Sequence, residues 1–300
     1  MRLLTVPNWS FGRNRRLLQA FRDTLEGSGL RVHYCAADVD HNRCVTAFSG
    51  EPEAVRKSLF GLCELAFPAI DLTRHIGVHP RLGALDVCPF VELAAKDNEF
   101  DSDQLVELAQ FVESFARELA ERYELPVFLY EKSERGRHEA DLPSLRRGGF
   151  GGLIGKNLKP DFGPLQANPQ LGVTVVGVRD FLIAVNVNLR GDDGKLARRI
   201  AKQIRHLRQE GDPRFLGVRA LGFYLASRDL GQVSLNLTLP DLSPVDPIID
   251  WIRDEARRAE KGVAGTQLVG VIRTRDLPTA TWLKVRPEQI ADGQPEDKKL

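Results

Sequence analysis

Two histidines, His75 and His79, lie four residues apart in a segment, 74–86, that reads Arg-His-Ile-Gly-Val-His-Pro-Arg-Leu-Gly-Ala-Leu-Asp. Gly77 and Pro80 oppose a helix there, and the glutamate of a His-Glu-x-x-His zinc motif is missing, so no metal is expected. A histidine in a rigid Pro/Gly loop beside Arg81 suits general acid–base work on an anionic substrate. Its reference pKa of about 6.5 lets it take and give a proton at neutral pH. An ordinary loop histidine capped by a carbonyl is the competing reading. Asp38, Asp40 and Asn42 share one strand face if the preceding strand reaches them. Two carboxylates so placed could act as acid and base or bind a cationic group, yet with His41 beside them they equally suit a turn.

Two further strands carry amides. Residues 181–189 alternate Phe181, Ile183, Val185, Val187 and Leu189 with Leu182, Ala184, Asn186 and Asn188. Residues 232–238 set Val233, Leu235 and Leu237 against Gln232, Ser234, Asn236 and Thr238. Successive side chains point to opposite faces, so each strand presents uncharged hydrogen-bonding groups on one side. That suits a half-buried cleft for a polar ligand, or a polar interface between domains. The small-residue loop 161–172 would let a flat ligand lie close to the backbone. Lys195, Arg198, Arg199, Lys202, Arg205 and Arg208 lie on one helix with no acid between them: a solvated face, or a seat for an anionic tail.

The elements that must position these groups follow from periodicity. Strands are expected at 3–6, 32–37, 43–48, 84–93, 126–130, 173–178, 181–189, 218–225, 232–237 and 268–272. Helices are expected at 15–26, 53–66, 101–124, 195–207 and 245–256. The clearest helix has Leu105, Leu108, Phe111, Val112, Phe115 and Leu119 as its stripe, with Asp101 and Gln104 at its start. Residues 131–171 hold seven glycines and four prolines and are too long for a passive linker. A boundary is expected there, giving 1–171, 172–275 and a polar tail 276–300. The class is α+β, mixed sheets with helices on one face. No convincing sequence repeat is visible, though the halves can share an architecture.

Composition agrees with a folded chain of one large or two modest domains: 300 residues, 42% hydrophobic and 28% charged. A net charge of +1 argues against a dedicated nucleic-acid binder. Cys35, Cys44, Cys63 and Cys88 show no C-x-x-C spacing and read as free thiols of a reducing compartment. With no signal-peptide core and no apolar run of about 20 residues, a cytoplasmic location without membrane contact is expected.

In order along about 270 residues, the chain resembles the glutamate formimidoyltransferase family. The matching pieces are Val6-Pro7-Asn8-Trp9-Ser10 with Gly12-Arg13-Asn14, Asp40-His41-Asn42-Arg43, and the long segment from His75 through His79-Pro80-Arg81 to Phe90. They continue with Pro126-Val127-x-Leu129-Tyr130, Pro160-Asp161-Phe162-Gly163-Pro164, Gly172 to Gly177, Phe181-Leu182-Ile183-Ala184 with Asn186-x-Asn188-Leu189, Gln232-Val233-Ser234-x-Asn236, and Gln267-Leu268-Val269-Gly270. The resemblance implies two α/β-sandwich subdomains whose sheets face each other across a substrate channel, in a homodimer. It implies transfer of the formimino group from N-formimino-L-glutamate to N5 of tetrahydrofolate, as in histidine breakdown. It assigns catalysis to His79 and folate contact to Gly163, Pro164, Leu165, Gln166, Ala167, Asn168, Pro169, Gln170, Leu171 and Gly172. The expected donor-binding set is Asp40, Asn42, Arg43, Arg81, Asn186, Asn188, Ser234 and Asn236. The cyclodeaminase domain of animal members is not expected. Two departures stand out: Phe11 where the family usually has an acid, and Leu171 where it usually has Trp. An N-formylglutamate formyltransferase and a non-catalytic folate-binding paralogue are the alternatives.

Overall fold

Leu17, Phe21 and Leu25 recur at four-residue steps and are the buried residues of α1 (Arg15–Glu26), whose first turn is capped by Asn14 accepting from the Leu17 amide. A proline opens α2 (Pro52–Ala66), where its missing N–H costs nothing, and Val55, Leu59, Leu62 and Cys63 form its inner face. In α3 (Ser102–Tyr123), Leu108, Phe111, Val112, Phe115 and Leu119 are buried as the stripe requires. The computed structural model describes residues 1–93 and 102–292, so the expected Asp101 cap lies outside the described residues.

The chain divides into two units, one built on Met1–Arg179 and the other on Asp180–Ala291. In the first, β1 (Leu3–Thr5) and β2 (Asn8–Trp9) are two pieces of one interrupted strand, both lying between β4 (Arg43–Gly50) and β5 (Leu85–Glu92). Beyond β4 lies β3 (Arg31–Asp38); beyond β5 come β7 (Thr174–Val178) and then β6 (Val127–Leu129). The β5–β7 and β6–β7 pairs are parallel and the rest antiparallel, a mixed sheet. One face packs on α1, α2 and α3 in a single core that includes Leu3, Phe48, Leu85, Phe90 and Val176. The 131–173 excursion, with the short α4 (Leu142–Leu145), covers the β5–β7–β6 end of the other face through Leu142, Leu145, Leu153 and Leu158. Every residue of β5 and β7 is therefore buried, as a parallel pair requires.

The second unit runs β8 (Ile183–Arg190), α5 (Lys195–Gln209), β9 (Val218–Leu225), β10 (Leu230–Leu237), α6 (Val245–Arg258) and β11 (Gly262–Val269). Its sheet order is β11-β8-β10-β9, a split β-α-β arrangement. The alternation seen in the sequence is realised: Ile183, Val185, Val187, Leu189, Val233, Leu235 and Leu237 pack with Ile200, Ile204, Ile248 and Ile252 of the helices.

Several expectations change. The second sheet is antiparallel throughout rather than mixed. The strand 174–178 belongs to the first sheet, so the first unit runs to Arg179 and not to 171; the glycine-rich stretch is an excursion within that unit. The last strand is Gly262–Val269, displaced from 268–272 because Gly262 and a bulge between Val263 and Gly265 hide its period. The stretch from 276 is no loose tail as far as 291: Ala280, Leu283 and Ala291 are buried, and the Ala291 amide donates to Ile272 O at 2.9 Å. Phe11 is a core residue, its ring edge-on to Phe21 at 5.0 Å. The four cysteines are free thiols.

Candidate active site

The site begins at the hairpin joining β3 to β4. Asp38 Oδ1 accepts the amides of Asp40 (3.0 Å) and His41 (2.9 Å), so it makes the turn. Asn42 closes the turn with φ of 47°, a conformation that asparagine tolerates better than most residues. Its side-chain oxygen, side-chain nitrogen and carbonyl are all used. Its Oδ1 accepts from the Gly12 amide (2.8 Å), its Nδ2 donates to Ile76 O (3.0 Å), and its carbonyl takes His75 Nε2–H (2.8 Å). The Val78 amide donates to Asp40 O at 3.1 Å, completing the seam. Two glycines permit this closeness. A Cβ at Gly12 would stand 2.0 Å from Asp38 O, and one at Gly77 would stand 2.3 Å from His41 O.

Pinned this way, the 75–81 loop holds His79 half-buried. Its Nδ1–H donates to Pro80 O at 2.7 Å, which leaves the lone pair on Nε2, and Nε2 accepts from Arg43 Nη1. Burial, then the charges of Arg43 and Arg146 and the ring of His41 beside it at 5.8 Å, hold the imidazole well below the ordinary histidine range. The ring is neutral at pH 7 and is a base. His75 is also lowered, first by burial and then by Arg81, with its Nε2 committed to Asn42.

Arg43, the first residue of β4, donates its second Nη to Asn8 Oδ1, and Asn8 is oriented by its own Nδ2 bond to Val6 O (3.0 Å). Burial and then Arg146 bring the Arg43 pKa down to about 9, still a cation at neutral pH. Arg81 is differently employed: its two Nη atoms donate to His79 O (3.2 Å) and His75 O (2.6 Å), clamping the loop. Asp86 accepts the Leu82 amide at 2.6 Å on one oxygen and pairs with Arg146 through the other. The Nε atoms of Arg43, Arg81 and Arg146 are buried without a hydrogen-bond partner.

The 163–172 loop is sewn to the root of the His79 segment. The Leu72 amide donates to Gln170 O and the Ala84 amide to Leu171 O, both at 2.9 Å, and Gly83 bridges Gly172. Asn168 Oδ1 takes the amides of Gln170 (3.0 Å) and Leu171 (2.9 Å), shaping the turn. Gly163, Pro164, Leu165 and Gln166 are exposed, while Leu171 packs partly on the core.

The first unit therefore brings together Asp40, Asn42, Arg43, His79, Arg81 and the 163–172 loop. Asn186, Asn188, Ser234 and Asn236 belong to the second unit, on the sheet face opposite its core. There Asn186 stands across from Ser234 and from Gln267, and Gln232 Nε2 donates to Asn188 Oδ1 at 2.8 Å. Sequence reasoning singled out neither Arg146 nor Asn8, His41 and Asp86 as site residues. Asn8 and Asp86 lay within recognised motifs. Arg146 carried no signal beyond the length of its loop, because its partner is 60 positions away. Among the described residues no cluster of three or more His, Cys, Asp or Glu could hold a metal, and no helix is long and apolar enough to cross a membrane.

Comparison with known proteins accords with this architecture. The N-terminal subdomain of the formiminotransferase domain matches residues 2–179, and the formiminotransferase domain matches 184–299. The chain is 34% identical over 278 residues to glutamate formimidoyltransferase of Streptococcus pyogenes serotype M1, covering 91% of this chain and 89% of that one. It is 31% identical over 279 residues to the glutamate formimidoyltransferase of Thermoplasma acidophilum, with 91% and 88% covered. It is 35% identical over 292 residues to formimidoyltransferase-cyclodeaminase of Gallus gallus, covering 95% of this chain and 52% of that one. The chain thus spans about half the length of several curated relatives it matches. With both subdomains matched in order, and with a stand-alone relative matched over most of its length, the chain belongs to the formiminotransferase family.

Proposed function

We propose that the protein transfers the formimino group of N-formimino-L-glutamate to N5 of tetrahydrofolate, releasing L-glutamate and 5-formimidoyltetrahydrofolate. The observation that carries this reading is the neutral His79, with Nδ1–H fixed on Pro80 O and its lone pair on Nε2. Attack of the acceptor nitrogen on the amidine carbon forms a C–N bond and a tetrahedral centre. His79 Nε2 takes the proton from that nitrogen and returns it to the glutamate nitrogen, so that the old C–N bond breaks with a neutral amine leaving. Arg43 is the cation suited to a donor carboxylate, since Arg81 is committed to carbonyls. Asp40 and Asn42 act by holding the turn under His79.

The exposed 163–166 stretch, with Leu165 56% exposed, offers apolar surface for a flat acceptor ring. In this reading Asn186, Asn188, Ser234 and Asn236 of the second unit supply further polar contacts to the donor. The protein works as a cytoplasmic homodimer without a metal. Support for the part of these second-unit residues is that all four lie on the sheet face opposite the core, with Asn186, Asn188 and Ser234 half-buried and Asn236 exposed.

Incubation with tetrahydrofolate and either N-formimino- or N-formyl-L-glutamate, followed by product absorbance, tests the reading. Turnover with the formimino donor is expected. Turnover with the formyl donor alone assigns a formyltransferase, and folate binding without turnover on either assigns a binding paralogue.

A further inference from the structure

Arg43 is a half-buried cation whose acceptors are both neutral, His79 Nε2 and Asn8 Oδ1, while its Nε is buried with no hydrogen-bond partner. A guanidinium withdrawn from water ordinarily faces a carboxylate in a forked pair. The carboxylate near it, Asp86, is occupied by Arg146 and the Leu82 amide. Arg43 from β4, His41 from the hairpin, Pro80 O from its own loop and, acting by charge, Arg146 stand around the His79 ring. Because Nδ1 donates to Pro80 O, Nε2 holds the one lone pair of the ring, and the guanidinium sits on it. The protein without donor thus holds its base capped and its carboxylate receptor unsatisfied, through one and the same hydrogen bond.

We propose that Arg43 is a substrate-operated latch: it caps His79 Nε2 in the free protein, and a donor carboxylate draws the guanidinium into a forked pair and uncovers the base. The inference rests on the reading that the donor carries carboxylates and that His79 is the base. Its consequence is specificity expressed in turnover. A donor lacking the carboxylate leaves the base capped, so kcat falls more than KM rises. Simple orientation of the ring by Arg43 would give no such linkage to the donor.

The test is the imidazole titration of His79, followed by 15N NMR on the full chain. Three states are compared: free, with saturating N-acetyl-L-glutamate, and with N-acetylpropylamine, which lacks both carboxylates. N-acetyl-L-glutamate is expected to move the Nε2 resonance and raise the His79 pKa, and N-acetylpropylamine to do neither. Arg43→Gln without any ligand is expected to raise the His79 pKa already, by about one to three units, and to abolish any further response to N-acetyl-L-glutamate. Binding of N-acetyl-L-glutamate with an unmoved His79 resonance overturns the latch. So does an Arg43→Gln protein whose His79 titrates as before. Failure of N-acetyl-L-glutamate to bind, measured by calorimetry, overturns the donor assignment and the latch together, whereas binding with an unmoved resonance overturns the latch alone.

Discussion

The two units are built on one frame. The first runs β1/β2, α1, β3, β4, α2, β5, and the second β8, α5, β9, β10, α6, β11. The sheet orders correspond as well: β3-β4-β1/β2-β5 in the first and β9-β10-β8-β11 in the second. What separates them is the connection entering the last strand. In the second unit α6 ends at Arg258 and β11 begins at Gly262. In the first, α2 ends at Ala66 and β5 begins only at Leu85, and the inserted residues carry His75, His79 and Arg81. The first unit also extends its sheet with β7 and β6, and roofs that end with the 131–173 excursion. The frame supplies a rigid sheet, and the proposed base, His79, sits in what one copy adds to it.

The sharpest way to break this contrast is His79→Ala. Turnover is expected to fall roughly 10²–10⁴-fold, with thermal unfolding little changed and His75→Ala milder. Near-full activity would show that the insertion does not carry the chemistry. Next in size, Ile200→Ala removes a fully buried side chain from the second core and should cost roughly 2–5 kcal/mol. Hydrogen exchange should show the loss in amides of Asp180–Ala291 and spare those of the first sheet. If both sets loosen equally, the units do not unfold separately.

A pair of glycines sharpens the comparison of the two connections. Gly77→Ala forces its Cβ against His41 O and should destabilise by roughly 1–3 kcal/mol while displacing His79. Gly262→Ala, at the short connection, meets nothing within 4 Å and should stay within about 0.5 kcal/mol, as read by denaturant titration. The mildest effect concerns pH. His79 is held below its unfolded value, chiefly by burial. Above about pH 6.5 both states are neutral and stability is full. As pH falls through that value the unfolded chain binds a proton that the folded chain refuses, so stability declines, by up to about 1.4 kcal/mol per unit. His79→Gln should flatten that part of the stability curve, and the acid limb of kcat/KM in the parent protein should lie below pH 6.5.

Periodic burial is what made much of the frame readable. The bounds of α1 and the alternation of β8 and β10 follow from one face meeting a core, and that requirement is written residue by residue. β2 escaped notice because its two residues contain no period and follow Pro7. β7 was expected in the wrong unit because the composition break at 131–171 marks an excursion between two strands of the same sheet. At the site, the Pro/Gly surroundings of His79 marked a rigid loop but left an ordinary capped histidine open, and the catalytic role expected of it rests on the family resemblance. The duties of Asn42 and Arg81 were not, since both are defined by carbonyls and amides that only the folded chain brings near. Arg146 needed the distant Asp86 to acquire meaning.

The excursion leaves β6 and returns as β7, its immediate neighbour in the sheet, and its ends are tied by the Tyr130 amide on Val176 O at 3.1 Å. A loop with anchored ends is thermodynamically modular. Doubling its length adds only about 0.6 kcal/mol of closure entropy. The part of it between Gly163 and Gln166 is exposed, and its inward leucines rest on a sheet that is complete without them. Grafting a foreign segment there would leave the βαββαβ frame and the Arg43–His79 pair where they are, so the surface proposed for the acceptor could be re-engineered independently of the proposed base.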